Sequence, residues 1–258
     1  MKPATGATPL FALEAVAIDT ETTGLDPATA RFVEIAAVRI SGGKVMDADG
    51  YSRIIDPGIA IPAGSTQVHG IGNADTRFAP DLRKAWDEIG AHFARRVVIG
   101  HSIGFDFAVI EAEARRHGLK WVKPRGLCVR MLAQLVAPSL ADHSLDALAS
   151  WLGISIRNRH RALGDAVAAG EIFVALVPHL RKRGLETLAE LERALLRLQP
   201  EIERHERLVL EAFGHVAIDD AERETLRDRR LAHARLADEH RVVFRAPREP
   251  LNRAADFL

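Results

Sequence analysis

The alternation of apolar and polar positions divides the chain into elements before any chemistry is considered. Residues 14–19, centred on Val16-Ala17-Ile18, read as a buried strand. Phe32 to Ile40 reads as a second strand, rich in β-branched residues. Ser41-Gly42-Gly43-Lys44 is a turn, and a third strand follows, ending around Tyr51 to Ile55 before Asp56-Pro57-Gly58. Connections this short predict an antiparallel meander. From Pro80 the period becomes helical, with Leu82, Trp86, Ile89 and Phe93 on one face. Val97-Val98-Ile99-Gly100 is a short apolar strand, and residues 105–117 form a helix that Gly118 is placed to end. A last short strand over 126–129 precedes helices near 129–136 and 144–152, the second with Leu145, Leu148 and Leu152 on one face and Gly153 as its stop. Ala162 to Leu180 is a long apolar helix. Three antiparallel strands followed by alternating strand and helix predict an α/β fold, a mixed sheet flanked by helices.

Beyond residue 180 the texture changes, and we divide the chain into a domain over 1–180 and a charged helical C-terminal extension over 181–258. The extension holds 16 Lys/Arg and 16 Asp/Glu, so it is highly charged yet neutral. Leu185, Leu188, Leu191, Leu195 and Leu198 mark one helical stripe ending near Pro200, Ile202 to Phe213 continues it, and Asp219 with Glu222 opens a further helix. The stripe lacks sustained heptads. Packing against the domain is its first reading; homodimer formation or partner binding is the second.

Composition narrows the function. Across 258 residues, 35 Lys+Arg balance 35 Asp+Glu, so the chain is no sequence-independent basic coat for nucleic acid; a nucleic acid would have to be gripped locally. One cysteine, Cys128, excludes an internal disulfide and fits a reducing cytoplasm, the expected location. Residues 1–13 carry one basic residue and run into a strand, so no signal peptide is read. By this reading no apolar run approaches the ~20 residues of a membrane span, so no membrane partner is expected.

The chemistry gathers at element ends. Asp19 and Glu21, two apart on a strand, point to the same side. Side by side they raise each other's pKa, and a divalent cation between them relieves that repulsion. Asp106 falls in the first turn of a helix after a strand, and His160 and Asp165 fall where an Arg-rich loop enters another helix. Four carboxylates would form a hard, oxygen-lined site suited to two Mg²⁺ or Mn²⁺. Two such ions ~3.5–4 Å apart hold a phosphodiester in line, and a neutral imidazole such as that of His160 is suited to take the proton of an attacking water.

Asp19-Thr-Glu21-Thr-Thr-Gly24, His101-x-x-x-Phe105-Asp106 and His160-x-x-x-x-Asp165, in that order, resemble the DEDDh 3′→5′ exonucleases, over roughly residues 14–178. The resemblance implies a ribonuclease H-like fold. It implies Asp19, Glu21 and Asp165 as ligands of one metal, with Asp19 shared with a second that Asp106 holds directly or through water, and His160 as general base. Thr22 and Thr23 match the turn that receives the 3′-hydroxyl, and Leu25 and Phe105 match apolar residues against the terminal bases. Ile71, in Val68-His69-Gly70-Ile71, matches a segment bordering the scissile nucleotide, although His69 reads equally as a surface histidine. Ser102 stands where the family commonly has Asn, which implies a changed substrate contact. His101 is read as ordering its loop.

The expected activity is hydrolysis from a 3′ end, of single-stranded DNA ahead of RNA, releasing nucleoside 5′-monophosphates. Two alternatives stand beside it: an exoribonuclease acting on RNA ends, and a polymerase-associated adaptor working mainly through its helical tail.

Overall fold

The computed structural model describes residues 3–93 and 95–198. Its sheet is built on β1 (Ala15–Thr22), which pairs antiparallel with β2 (Phe32–Ser41) on one side and parallel with β5 (Val97–Gly100) on the other. β6 (Gly126–Cys128) extends the parallel edge beside β5. The opposite edge of β2 is shared by two short strands, β3 (Lys44–Val45) and β4 (Tyr51–Ile54). The expected single third strand is therefore two, separated by a 3₁₀ turn at Asp47–Asp49. The reason is local: two aspartates and Gly50 are poor strand formers, and they interrupt pairing between two stretches that both fit the edge.

Helices cover both faces. Even-numbered residues of β1, Val16 and Ile18, pack with Leu82 and Ile89 of α3 (Leu82–Phe93) and with Phe107 and Ile110 of α4 (Ile103–His117). Odd-numbered Ala15 and Ala17 share the other core with Leu132 of α5 (Val129–Val136), Leu148 of α6 (Leu145–Leu152), and Ile172, Phe173 and Leu176 of α7 (Ala162–Lys182). A strand buried on both faces reads as a continuous apolar run, which is why Val16 to Ile18 shows no alternation of polarity. α7 lies close on the sheet: a Cβ at Gly170 would meet Val45, Ala17 and Ile40 at 3.1–3.5 Å. By length and composition α7 could span a membrane, unlike the expectation from the apolar runs, but here it is a core helix.

Two short helices escape the sequence pattern, α1 (Ala63–His69) and α2 (Asn73–Thr76). Neither is long enough to show a period. α4 starts two residues before its expected first residue, because Ser102 adopts a left-handed conformation (φ 58°) that turns the chain sharply out of β5.

Past α7 the chain packs back into the same core. A helix over 188–198, here α8, opens on Thr187, with the Glu190 carboxylate accepting the Glu186 and Thr187 N–H groups at 2.9 and 2.8 Å. Leu188, Leu191 and Leu195 lie in the α7 core, and Arg125 pairs with Glu192 at 2.5 Å. The helices expected from Ile202 onward lie outside the described residues.

Candidate active site

The carboxylates meet at the C-terminal end of β1. Asp19 and Glu21 face α7, while the strand register shifts between Glu21 and Thr22, bending the chain into the following turn. Asp165 enters from the first turn of α7, and carboxylate oxygens of Asp19, Glu21 and Asp165 lie within 4.8 Å of one another. Asp106 arrives from the first turn of α4, on the other face, and its Oδ1 accepts a 2.8 Å hydrogen bond from the Thr20 hydroxyl.

Burial and mutual repulsion set the electrostatics. Asp19 is pushed well above the ordinary carboxylate range by burial, then by Asp106, Glu21 and Asp165; Arg159 opposes the rise. Burial lifts Asp106 to about 7 against the pull of the Thr20 hydroxyl. Asp165 is lifted to about 6, again by burial, against the Arg159 guanidinium and the His160 backbone N–H. Such a cluster favours protons or cations over bare charge.

The loop before α7 is tightly shaped. Asn158 and His160 both have left-handed backbones, with φ 53° and 63°. Arg159 holds Asp146 at 3.0 and 3.1 Å, ion-pairs with Asp165, and places Nη1 3.2 Å from His160 Nδ1. Arg161 grips buried Glu34 through two hydrogen bonds of 2.9 and 3.0 Å, and the Ala162 N–H and Ser52 hydroxyl donate to the same carboxylate at 3.1 and 2.7 Å. These contacts hold Glu34 below its usual range despite burial, which on its own would raise it. They also nail the entry of α7 to β2.

Thr22 and Thr23 are buried and form the turn itself: the Thr22 hydroxyl donates to Gly24 O at 2.7 Å, and the Thr23 hydroxyl accepts the Arg31 N–H at 3.0 Å. Leu25 is exposed on that loop, at 43%. Phe105 is partly buried against the α3–α4 core, and Ser102 precedes α4. Ile71 is buried in a small cluster with Val33 and Ile61. His69 is buried, not superficial, and its Nδ1 accepts the Ile71 N–H at 3.1 Å. His101 does order its loop: its Nε2 lies 2.8 Å from His143 O.

The donor set fits a divalent cation. Every ligating atom is a carboxylate oxygen, three residues already lie within reach of one ion, and Asp165 Oδ1 is buried without a hydrogen-bond partner. Sequence reasoning missed Thr20, Arg159 as a partner of the acids, and Glu34. The parity of β1 could have flagged Thr20, which must face away from Asp19 and Glu21. Glu34 sits among apolar residues of β2, and a charge there needs a partner.

A family model, RNase T, described as "Exonuclease", matches residues 16–173. A "DNA polymerase III subunit epsilon-like protein" of Rhodobacter capsulatus is 38% identical over 209 residues, 78% of this chain but 28% of that protein. The "DNA polymerase III subunit epsilon" of Aquifex aeolicus is 31% identical over 165 residues, covering 64% of this chain and 81% of its own length. Among solved structures, Exonuclease X in complex with 5′ overhanging duplex DNA superposes with TM-score 0.55 at 23% identity, covering 69% of this chain and 98% of that one. The nuclease domain of 3′hExo, a DEDDh family member bound to rAMP, superposes with TM-score 0.56 at 14% identity, covering 70% and 97%. The mixed sheet described above is the fold of these exonucleases.

Proposed function

The chain belongs to the exonuclease family whose model it matches across residues 16–173, and on that premise we propose that it removes nucleotides from the 3′ ends of DNA, single-stranded or frayed, and releases nucleoside 5′-monophosphates. The observation that carries this reading is the meeting of Asp19, Glu21 and Asp165 from two distant segments, with Asp106 coupled to them from a third. Two Mg²⁺ or Mn²⁺ held by these four residues would supply the charge that activates a water and stabilises the leaving oxygen.

The protein's own groups supply the rest. His160 takes the proton of the attacking water. The turn at Thr22–Thr23–Gly24, closed by its own hydrogen bonds, gives the chain end a rigid floor. Leu25 and Phe105 offer apolar surface to the terminal bases, with Ile71 packed beneath the neighbouring segment and Ser102 at the start of α4. Relatives named as parts of DNA polymerase III support DNA over RNA, and support a polymerase or repair partner.

The test uses the full chain with 5′-labelled single-stranded DNA and an RNA of matched sequence. With Mn²⁺ or Mg²⁺ present, DNA should shorten progressively from its 3′ end with mononucleotide product, and faster than RNA. Asp19→Ala and Asp165→Ala should abolish cleavage while still binding substrate. Wild-type turnover in either variant would sink the metal assignment, and faster attack on RNA would favour the exoribonuclease reading.

A further inference from the structure

We propose that Thr20, the residue between the two strand carboxylates, is a positioning residue that aims Asp106 into the metal cluster. The inference rests on the exonuclease reading above and adds to it a residue that neither the acidic set nor its spacing includes.

Strand parity fixes which way Thr20 points. Asp19 and Glu21 face α7, so Thr20 faces α4. Three of the four carboxylates come from β1 and α7; Asp106 alone comes from α4. It has to reach the cluster from the opposite layer of the fold. Thr20 is 8% exposed and Asp106 4%. Between them runs a side-chain hydrogen bond of 2.8 Å spanning 86 residues of sequence. A Thr hydroxyl on a strand has few χ1 choices because the residue is β-branched, so the donor is itself held still. With Oδ1 fixed to that donor, the plane of the Asp106 carboxylate is set, and its second oxygen has one direction left to it. Partners that orient metal-binding carboxylates in this way are worth roughly 10–100-fold in metal affinity or activity.

A bond that merely staples β1 to α4 would also be lost on mutation, so the test separates aim from stability. Thr20→Ser keeps the donor; Thr20→Val keeps the shape and removes it. Mn²⁺ binding by calorimetry, exonuclease rate against Mn²⁺ concentration, and melting temperature are measured on the full chain. In Thr20→Val we expect Mn²⁺ binding weakened by roughly 10–100-fold at the cation that Asp106 helps to hold. The rate should fall in step at limiting Mn²⁺ and recover at high Mn²⁺, with KM for DNA unchanged there. Thr20→Ser should behave as wild type. If Thr20→Val does not fold, Thr20→Ala carries the same comparison. Wild-type Mn²⁺ binding in a folded donor-less variant overturns the inference, as does a Thr20→Ser protein as impaired as Thr20→Val. Asp106→Ala separates this failure from that of the underlying reading. If it too binds Mn²⁺ normally, the place of Asp106 in the cluster falls; if it binds weakly while Thr20→Val is normal, only the role of Thr20 falls.

Discussion

Gly164→Ala tests whether the loop over 157–161, which carries the proposed base His160, is held by close packing on α7. Gly164 is in the first turn of the helix, one residue before Asp165. A Cβ there would lie 2.1 Å from the Arg157 carbonyl oxygen and 2.5 Å from that of Asn158. The helix cannot give way, because Ala162 and Ala166 are fully buried and the Glu34 carboxylate holds both Arg161 and the Ala162 N–H. The loop must therefore retreat, by about 1 Å even to reach the tightest tolerated separation, and it carries Arg159 and His160 with it. A misplacement of ~1 Å in a catalytic group costs on the order of 10²-fold in rate. Overpacking of this kind costs about 1–3 kcal/mol of stability, which leaves the protein folded at assay temperature. The assay is kcat on a single-stranded oligodeoxynucleotide at saturating Mn²⁺, with Mn²⁺ binding and melting temperature measured in parallel. We expect kcat to fall by roughly 100-fold while Mn²⁺ binding, anchored by Asp19 and Glu21, changes little. A folded Gly164→Ala enzyme with wild-type kcat would refute the claim that this contact sets the loop.

Two further changes probe the frame around the site. Burial lowers His101 to about 4 from its ordinary 6.5, with Arg130 and Arg159 adding to the fall and the His143 carbonyl and Asp142 opposing it. The folded protein then holds fewer protons than the unfolded chain between those values, so this histidine's contribution is full above pH 6.5 and lost as pH falls toward 4, by about 3 kcal/mol. Because buried Asp106 and Asp165 act in the opposite sense, the quantity to measure is the difference in urea-unfolding free energy between wild type and His101→Gln. It should shift by that amount toward the variant on acidification, and a pH-independent difference would count against a neutral buried imidazole. Leu188→Ala removes a fully buried side chain at the start of α8 and should destabilise by about 2–5 kcal/mol in thermal or urea melts, with kcat intact where the protein is folded. A melt indistinguishable from wild type would mean that α8 is not part of the core.

The sequence displays the elements that carry the acids because those elements are periodic or continuous. Val16 to Ile18 is apolar throughout since both faces of β1 are covered, and α3 shows its stripe at Leu82, Ile89 and Phe93. The positions of Asp19, Glu21, Asp106 and Asp165 at element ends follow directly. What it hides is short or non-local. α1 and α2 are too brief for a period, and α1 is bounded by Pro62 and by Gly70 at φ 74°, which signal a turn as readily as a helix. The split of β3 from β4 depends on β2 offering one edge to both. The partners of the acids, Thr20 for Asp106 and Arg159 for Asp165, are tertiary facts, and so is the use of Arg161, which the sequence offers only as one of several loop cations.

The pairing of Glu34 with Arg161, 127 residues further along the chain, bears on how such an enzyme comes into being. A chain leaving the ribosome exposes Asp19 and Glu21 long before Asp165 exists, and contacts of this sequence separation close late in folding because the intervening loop must first lose its freedom. Hydrolytic competence is thus conferred at the end of assembly rather than accumulated along the way. On the proposed assignment, a nascent or truncated chain carries the acid pair without the loop and helix that complete the site, and activity becomes a report on completed folding.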